Sequence, residues 1–273
     1  MTIKELIDYG NLHISNQKVQ MLLEYYLNCD VFEINTKLNQ EVDEKLEKEY
    51  KVAINKIKNN YPIQYLIGKT NFYGNDFLVN ENVLIPRFET EELVENTINY
   101  IKEFFDENIK VIDLGTGSGC IGVTLKKKNP TLTVTCVDIS EEALNVAKEN
   151  ARNLEANIEF IKSDMLEKIE DKYSVIVSNP PYIAMGEEIE DVVKNNEPHL
   201  ALYSDNGGLY FYDKILSTCK NHLEDKFLIA FEIGMNQKEQ VLLLAKKYLG
   251  DDVTCICKKD LSEKDRMIFI YKL

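Results

Sequence analysis

Histidine is scarce in this chain: His13, His199 and His222 are the only three. That argues against a histidine-rich metal centre. Cysteine offers no framework either. Cys29, Cys120, Cys136, Cys219, Cys255 and Cys257 are scattered, and Cys255 and Cys257 form a C-x-C rather than a C-x-x-C, with no histidine near them in sequence. Buried free thiols are expected, not a metal or disulfide site. Long apolar runs are missing, none approaching the roughly 18 residues that span a bilayer. The opening stretch MTIKELIDYGNLHIS lacks the basic start and apolar segment of a signal peptide, so a cytoplasmic location with no membrane contact is expected. Positive charge is short as well. Against 46 Asp and Glu stand 32 Lys and Arg, a formal net charge of −14. Proteins that bind extended nucleic acid normally carry a basic footprint, so nucleic acid is disfavoured as the main partner. A local basic patch can survive this balance, and an acidic protein can equally be steered towards a basic protein surface.

What is present is an ordinary globular composition, 44% apolar and 29% charged over 273 residues, enough for one large domain or two smaller ones. The texture changes near residue 75. Before it, Val19, Leu22, Leu23, Tyr26 and Leu27 share one helical face, and Leu46, Tyr50, Ala53, Ile54 and Ile57 another. QEVDEKLEKEYK reads as a solvated helix face, and Pro62 is expected to end the helical region. From about 64 to 86 apolar and polar residues alternate around Gly74-Asn75-Asp76, as in a hairpin. FETEELVENTINYIKEFF resumes helical spacing, with Thr90 as its expected cap. Beyond Lys110, the strand candidates KVIDLG, LTVTCVD, IEFIKSD, YSVIVSN and KFLIAFEIG are interleaved with helical stretches such as SEEALNVAKENARN. That alternation predicts an α/β fold, a mostly parallel sheet with helices on both faces.

Ligands in such sheets bind at the carboxyl ends of the strands. The first strand ends in Asp113-Leu114-Gly115-Thr116-Gly117-Ser118-Gly119. Glycines at alternate positions let backbone approach a ligand closely. A dinucleotide fingerprint would place Gly or Ala where Cys120 stands; Asp113 before the glycines fits the S-adenosylmethionine pattern D-x-G-x-G-x-G instead. Asp138, ending the second strand, is placed to accept from both ribose hydroxyls; the alternative is a helix cap, although Ser140 with Glu141 and Glu142 could cap that helix unaided. Asp164 and Met165, ending the third, suit an adenine amine and its ring face, or a plain turn. Together these ends suggest a methyl-donor site.

The fourth strand ends in Asn179-Pro180-Pro181-Tyr182. Two prolines fix the backbone and remove two N–H donors, leaving carbonyls without a local amide. Asn179 adds a side-chain oxygen and Tyr182 a flat face. Such a group suits a planar –NH2: oxygens accept its hydrogens while the ring stacks on its plane, aiming the nitrogen at an electrophilic methyl. A nucleic-acid base and a primary amide both fit that description.

Asn-Pro-Pro-Tyr after a fourth strand resembles the amino-directed methyltransferases. The rest of the chain resembles, more narrowly, the release-factor glutamine N5-methyltransferases. The stretches that carry this are Pro62 to Gly68 (PIQYLIG), Ile85-Pro86-Arg87 with Thr90-Glu91, the Asp113 to Gly119 loop and Asn179 to Ile183. Glu197-Pro198 with Ala201-Leu202, Phe231 to Gly234 with Gln237, and Asp260 to Ser262 with Asp265-Arg266 complete the set in the family's order. The resemblance implies a Rossmann-like seven-stranded catalytic domain (76–273), preceded by a small helical substrate-recognition domain (1–75) and a hairpin linker (about 64–86). It implies S-adenosylmethionine as donor, S-adenosylhomocysteine as product and class 1 peptide-chain release factors as partner, methylated on the glutamine of their Gly-Gly-Gln motif. In that mechanism Asn179 and the Pro180 carbonyl orient the amide, Pro181 and Tyr182 pack against it, and Asn179 also borders the donor. A monomer is the default expectation.

The chain departs from the family at Phe88, where proline is usual, at Glu263, where glycine is common, and in the first half of SDNGGLYFY. Arg87 and Glu91 either support the site or tie the hairpin to the sheet. Two other readings stay open: a DNA or RNA amino-methyltransferase, which the charge and the N-terminal matches oppose, and a non-catalytic adaptor, which two intact motifs oppose.

Overall fold

A computed structural model describes residues 1–106 and 108–273. Backbone packing separates two compact units, Met1–Lys69 with Ile189–Asn196, and Thr70–Glu188 with Glu197–Leu273.

The first unit is helical. Its main helices, Ile3–Asn11, Asn16–Leu27 and Glu44–Lys58, turn Leu6, Val19, Leu22, Leu23, Tyr50 and Ile54 into one apolar core. Side chains satisfy the first N–H groups: Thr2 and Glu5 form a reciprocal capping box, and Asp30 and Asp43 cap two later helices. Pro62 does not end the helical region. It sits at the N-cap of a further short helix, Ile63–Ile67, with φ −62°, where its missing N–H is not needed.

A hairpin follows, β1 (Lys69–Phe72) and β2 (Asn75–Leu78), which from Thr70 onward belongs to the second unit. Its turn is Tyr73-Gly74, a residue earlier than expected, and both residues hold left-handed φ, 51° and 77°. A two-residue hairpin turn of that kind matches the twist of its strands. The helix Phe88–Phe104 follows, with Arg87 rather than Thr90 as its cap residue; Thr90 lies inside it and its hydroxyl is used elsewhere.

Then come β3 (Lys110–Leu114), β4 (Thr133–Asp138), β5 (Glu159–Lys162), β6 (Tyr173–Ser178), the short β7 (Ile183–Ala184) and β8 (Tyr203–Ser204), β9 (Leu223–Glu232), β10 (Thr254–Lys259) and β11 (Asp265–Lys272). Seven of them form one sheet in the order β10-β11-β9-β6-β3-β4-β5. Five strands, β5, β4, β3, β6 and β9, are joined by parallel pairing; β11 runs antiparallel to both β9 and β10. The period-two alternation of side chains divides the sheet's faces. Val111, Val175 and Leu228 pack towards the helices Phe88–Phe104 and Cys120–Lys128, whereas Ile112, Ile176 and Ile229 pack towards Tyr210–Thr218 and Lys238–Leu249. From β3 the chain moves outward to β4 and β5, then returns to β6 on the other flank. The crevice at the end of β3 is therefore the switch point of the sheet. Of the six thiols, Cys120, Cys136 and Cys219 are buried; Cys29, Cys255 and Cys257 are only half-buried, the last two on the edge strand β10. Among the described residues no helix is long and apolar enough to cross a membrane.

Candidate active site

A cavity of about 320 Å³ opens at this switch point. Its floor is the turn after β3. Gly115, Gly117 and Gly119 all adopt left-handed φ, 69°, 54° and 81°, so the turn needs residues without a Cβ penalty. Above Gly117 nothing lies within 4 Å of where a Cβ would be, and at Gly115 only the Met165 methyl comes close, at 3.9 Å. Backbone is thus exposed to any occupant. At Gly119 a Cβ would press to 3.1 Å on Ala147, so that glycine serves helix packing instead.

The turn is anchored from below and from the side. Asp113 is completely buried; its Oδ2 accepts from the Thr116 hydroxyl (2.6 Å) and the Gly122 N–H (3.0 Å). Burial raises its carboxyl to about 6, and these two bonds draw it partly back. Asp113 therefore shapes the turn and does not border the cavity. Asn150, buried on the helix Glu141–Asn153, donates to the carbonyls of Ser118 (2.9 Å) and Leu78 (3.0 Å) and accepts from Leu78 N–H (2.7 Å). It joins the turn to the hairpin.

Asp138 forms one wall. Its Oδ2 accepts from Gly117 N–H (2.9 Å) and its Oδ1 from Ser140 N–H (3.0 Å), leaving lone pairs on both oxygens for further donors. Ser140 caps the following helix through Ala143 N–H, so Asp138 is not occupied by that task. Burial raises the Asp138 carboxyl as well. Asp164 and Met165 line the cavity too. Met165 is held at φ 50°, uncommon for a non-glycine residue, and Asp164 Oδ2 is ion-paired with Lys214 at 2.6 Å. Asp138 and Asp164 thus line this end with carboxylate oxygens, the charge of Asp164 being offset by Lys214. A nucleoside with a positively charged sulfur fits the set: carboxylate oxygens for hydroxyls and an amine, and open backbone.

The Asn-Pro-Pro-Tyr segment borders the same cavity through Asn179 and Pro181. Ser178 Oγ donates to Leu114 O at 2.6 Å, tying the end of β6 to the start of the glycine turn. Asn179 Nδ2 donates to Thr90 Oγ1 at 3.1 Å, and Thr90 donates on to Glu232 Oε2 at 2.7 Å. No described residue donates to Asn179 Oδ1 or to the Pro180 carbonyl. Tyr182 is half-buried, its hydroxyl 3.4 Å from Glu232 Oε1, and burial raises its phenol. Its ring packs against the Gly234 backbone, where an added Cβ would lie 3.4 Å away. Its carbonyl accepts from Gln237 Nε2 at 2.8 Å while Gln237 Oε1 accepts from Gly234 N–H. At Gly208 a Cβ would stand 2.1 Å from that carbonyl, so only glycine fits.

The structure thus brings Gly115, Thr116, Gly117, Ser118, Asp138, Asp164, Met165, Asn179 and Pro181 to one cavity, whereas Asp113, Gly119, Pro180 and Tyr182 are not among its lining residues. Arg87 and Glu91 are not partners of each other. Arg87 pairs with buried Glu197 at 2.5 Å, while Glu91 accepts from Tyr73 N–H at 2.8 Å and so ties the hairpin to its helix. Sequence reading overlooked Glu232, Thr90 as its partner, Asn150 and the aromatic wall of Tyr210 and Phe211. A carboxylate closing the apolar run Phe227 to Phe231 was the available signal for Glu232.

A family model for the Methyltransferase small domain matches residues 88–238, and one for the PrmC N-terminal domain matches 10–68. The release factor glutamine methyltransferase of Bacillus cereus is 42% identical over 253 residues, 88% of this chain and 89% of the relative. That of Bacillus subtilis is 39% identical over 280 residues, covering 98% and 96%. Among solved structures, the T. thermophilus 16S rRNA N2 G1207 methyltransferase, in complex with AdoMet and guanosine, superposes with a TM-score of 0.54 at 16% identity. That match covers 75% of this chain and 50% of the other, a likeness of fold.

Proposed function

The chain belongs to the release factor glutamine methyltransferase family, and from that premise we infer its reaction: methyl transfer to the N5 amide nitrogen of the Gly-Gly-Gln glutamine in class 1 peptide-chain release factors. The observation that carries the reading is the pose of Asn179. Its amide nitrogen is engaged by Thr90 inside the protein, which leaves its oxygen as the available acceptor at the wall of the cavity. An acceptor there suits the two hydrogens of a primary amide. Pro181 lines the cavity beside it, and the Pro180 carbonyl and the Tyr182 ring, its neighbours in the chain, would supply the second acceptor and a flat face once the group is seated.

S-adenosylmethionine is the donor this reading requires; when bound it supplies a methyl carbon made electrophilic by a positively charged sulfur and leaves as S-adenosylhomocysteine. Gly115, Thr116, Gly117 and Ser118 would lie against it with close backbone, Asp138 would hold its ribose, and Asp164 with Met165 its base; Asp113 acts on it only through the turn. An amide nitrogen is a poor nucleophile because its lone pair is delocalised. The residues of the chain therefore contribute by orientation and by acceptors aimed at the hydrogens that become acidic as the nitrogen gains charge. The helical first unit is assigned to engagement of the release factor, since the PrmC N-terminal domain match falls within it.

Peptide mass mapping of a release factor incubated with enzyme and donor tests the reading. A gain of one methyl on the Gly-Gly-Gln peptide, absent with Asn179→Ala, is expected. Label in RNA or DNA beside an unmodified release factor would overturn it.

A further inference from the structure

An asparagine amide has two ends of nearly equal shape and opposite hydrogen-bonding character. For Asn179 to hold a substrate –NH2, its oxygen must face the cavity and its nitrogen must not. We propose that Glu232 and Thr90 are positioning residues that set this polarity: they form a one-way hydrogen-bond relay that compels Asn179 to present its oxygen. The inference rests on the reading of Asn179 as the acceptor of the substrate amide.

The relay is fixed by proton counting. Glu232 lies at the end of β9, 1% exposed, and its ionised carboxylate can only accept. Thr90 Oγ1, 2.7 Å from Glu232 Oε2, must spend its single proton there. The lone pairs of that hydroxyl then face Asn179, 3.1 Å away, and only Nδ2 can answer them. The Tyr182 hydroxyl lies 3.4 Å from the other oxygen of the same carboxylate, so one buried group faces both polar side chains of the Asn-Pro-Pro-Tyr segment. Glu232 is in turn held from two sides. Its carbonyl accepts from the Tyr212 hydroxyl at 2.8 Å. Arg266 lies close enough to favour its charge, itself fixed by Asp260 (3.1 Å) and the Ile233 carbonyl (3.2 Å). Glutamine at 232 would fill the same volume but add a donor. The Thr90 proton would then be free to turn towards Asn179 Oδ1, the Asn179 amide would flip, and two N–H groups would confront a substrate that also offers N–H groups.

A buried hydrogen bond that only stabilises the fold would predict something different, so the test separates stability, donor binding and turnover. Wild type, Glu232→Gln, Thr90→Val and Thr90→Ser are compared by melting temperature, by calorimetric affinity for S-adenosylhomocysteine, and by kcat on an intact release factor. The polarity role predicts that folded Glu232→Gln loses about 100-fold in kcat, the scale of a misplaced reacting group, while its S-adenosylhomocysteine affinity stays at the wild-type level. Thr90→Val loses kcat similarly, and Thr90→Ser, which restores the hydroxyl, recovers most of that loss. Folded Glu232→Gln with wild-type kcat overturns the inference, and so does a loss of kcat matched by an equal loss of donor affinity. If Glu232→Gln does not fold, the Thr90 pair decides: equal activity of Val and Ser variants overturns it. A wild-type enzyme inert towards the release factor would instead overturn the functional reading itself, and this inference with it.

Discussion

Two buried carboxylates, Asp113 at the end of β3 and Glu232 at the end of β9, invite comparison. Both are essentially inaccessible, and burial raises both, to about 6 and about 7. Their partners differ. Asp113 accepts from a backbone N–H and a hydroxyl of the turn that follows it, all within nine residues. Glu232 accepts from hydroxyls 142 and 50 residues away in sequence. The first carboxylate shapes a piece of backbone; the second sets the direction of side-chain hydrogen bonds. One burial cost is thus put to two uses, donor-site shape and acceptor-site polarity, and separate measurements can tell them apart.

The largest effect is expected at the tip of the acceptor side. Asn179→Ala should lower kcat by about 10²–10³-fold, the range for removal of one preorganised polar group, with S-adenosylhomocysteine still bound. Next comes pH. Glu232 is faced by Thr90 and Glu89 from their helix, by Tyr182 from its loop, by Arg266 from β11, by Tyr212, and more distantly by Cys120. Its protonation lets it donate, which disrupts the relay. kcat should therefore fall about tenfold per pH unit below its value of about 7. Asp113→Asn should keep that limb and Glu232→Gln should lose it. Stability should run the other way. Both carboxylates titrate above their unfolded values, so the folded chain holds more protons than the unfolded chain between about pH 4 and 7. Their contribution is most favourable at the acid end and declines as pH rises through that window. Chemical denaturation at several pH values should show a shallower decline in Glu232→Gln than in wild type.

Asp113→Ala should cost about 1–3 kcal/mol in stability by leaving Gly122 N–H and the Thr116 hydroxyl without an acceptor. It should also weaken S-adenosylhomocysteine binding, read by calorimetry, with a smaller change in kcat than Glu232→Gln. The smallest effect belongs to a substitution that touches neither carboxylate. Glu263 occupies a left-handed φ of 61° in the turn between β10 and β11, a conformation that favours glycine. Glu263→Gly should stabilise by about 0.5 kcal/mol in urea titration, kcat unchanged; its exposed ion pair with Lys259 at 3.6 Å offsets little.

The same contrast explains how much could be read in advance. The glycine turn, Asp138 and Asn179 were legible because each motif is a short run of sequence attached to a strand end. The parallel strands were legible as apolar runs. Phe88 now has an account as well: it is the first residue of its helix, where proline is favoured, and it is exposed, so the departure is tolerated. Thr90 looked like a cap because it stands near the start of an amphipathic run, but its hydroxyl reaches a strand 142 residues later instead. Asn150 links the turn and hairpin across 32 and 72 residues, and no local pattern announces such bonds. The strands β10 and β11 were missed for a related reason. Charged residues begin or end them, and they pair antiparallel in an order the chain does not follow.

That order bears on how the chain is made. β11 comes after β10 yet lies between it and β9, so β9 keeps an open edge while more than thirty later residues are still being synthesised. Its apolar run, Phe227 to Phe231, is the kind of edge that recruits another chain. A nascent polypeptide could already have its glycine turn and Asn-Pro-Pro-Tyr segment, but Glu232 would be unsecured until Met267 pairs with it across the sheet. Ribosome stalling before β11 should therefore yield aggregation-prone, chaperone-dependent chains, not a weakly active enzyme.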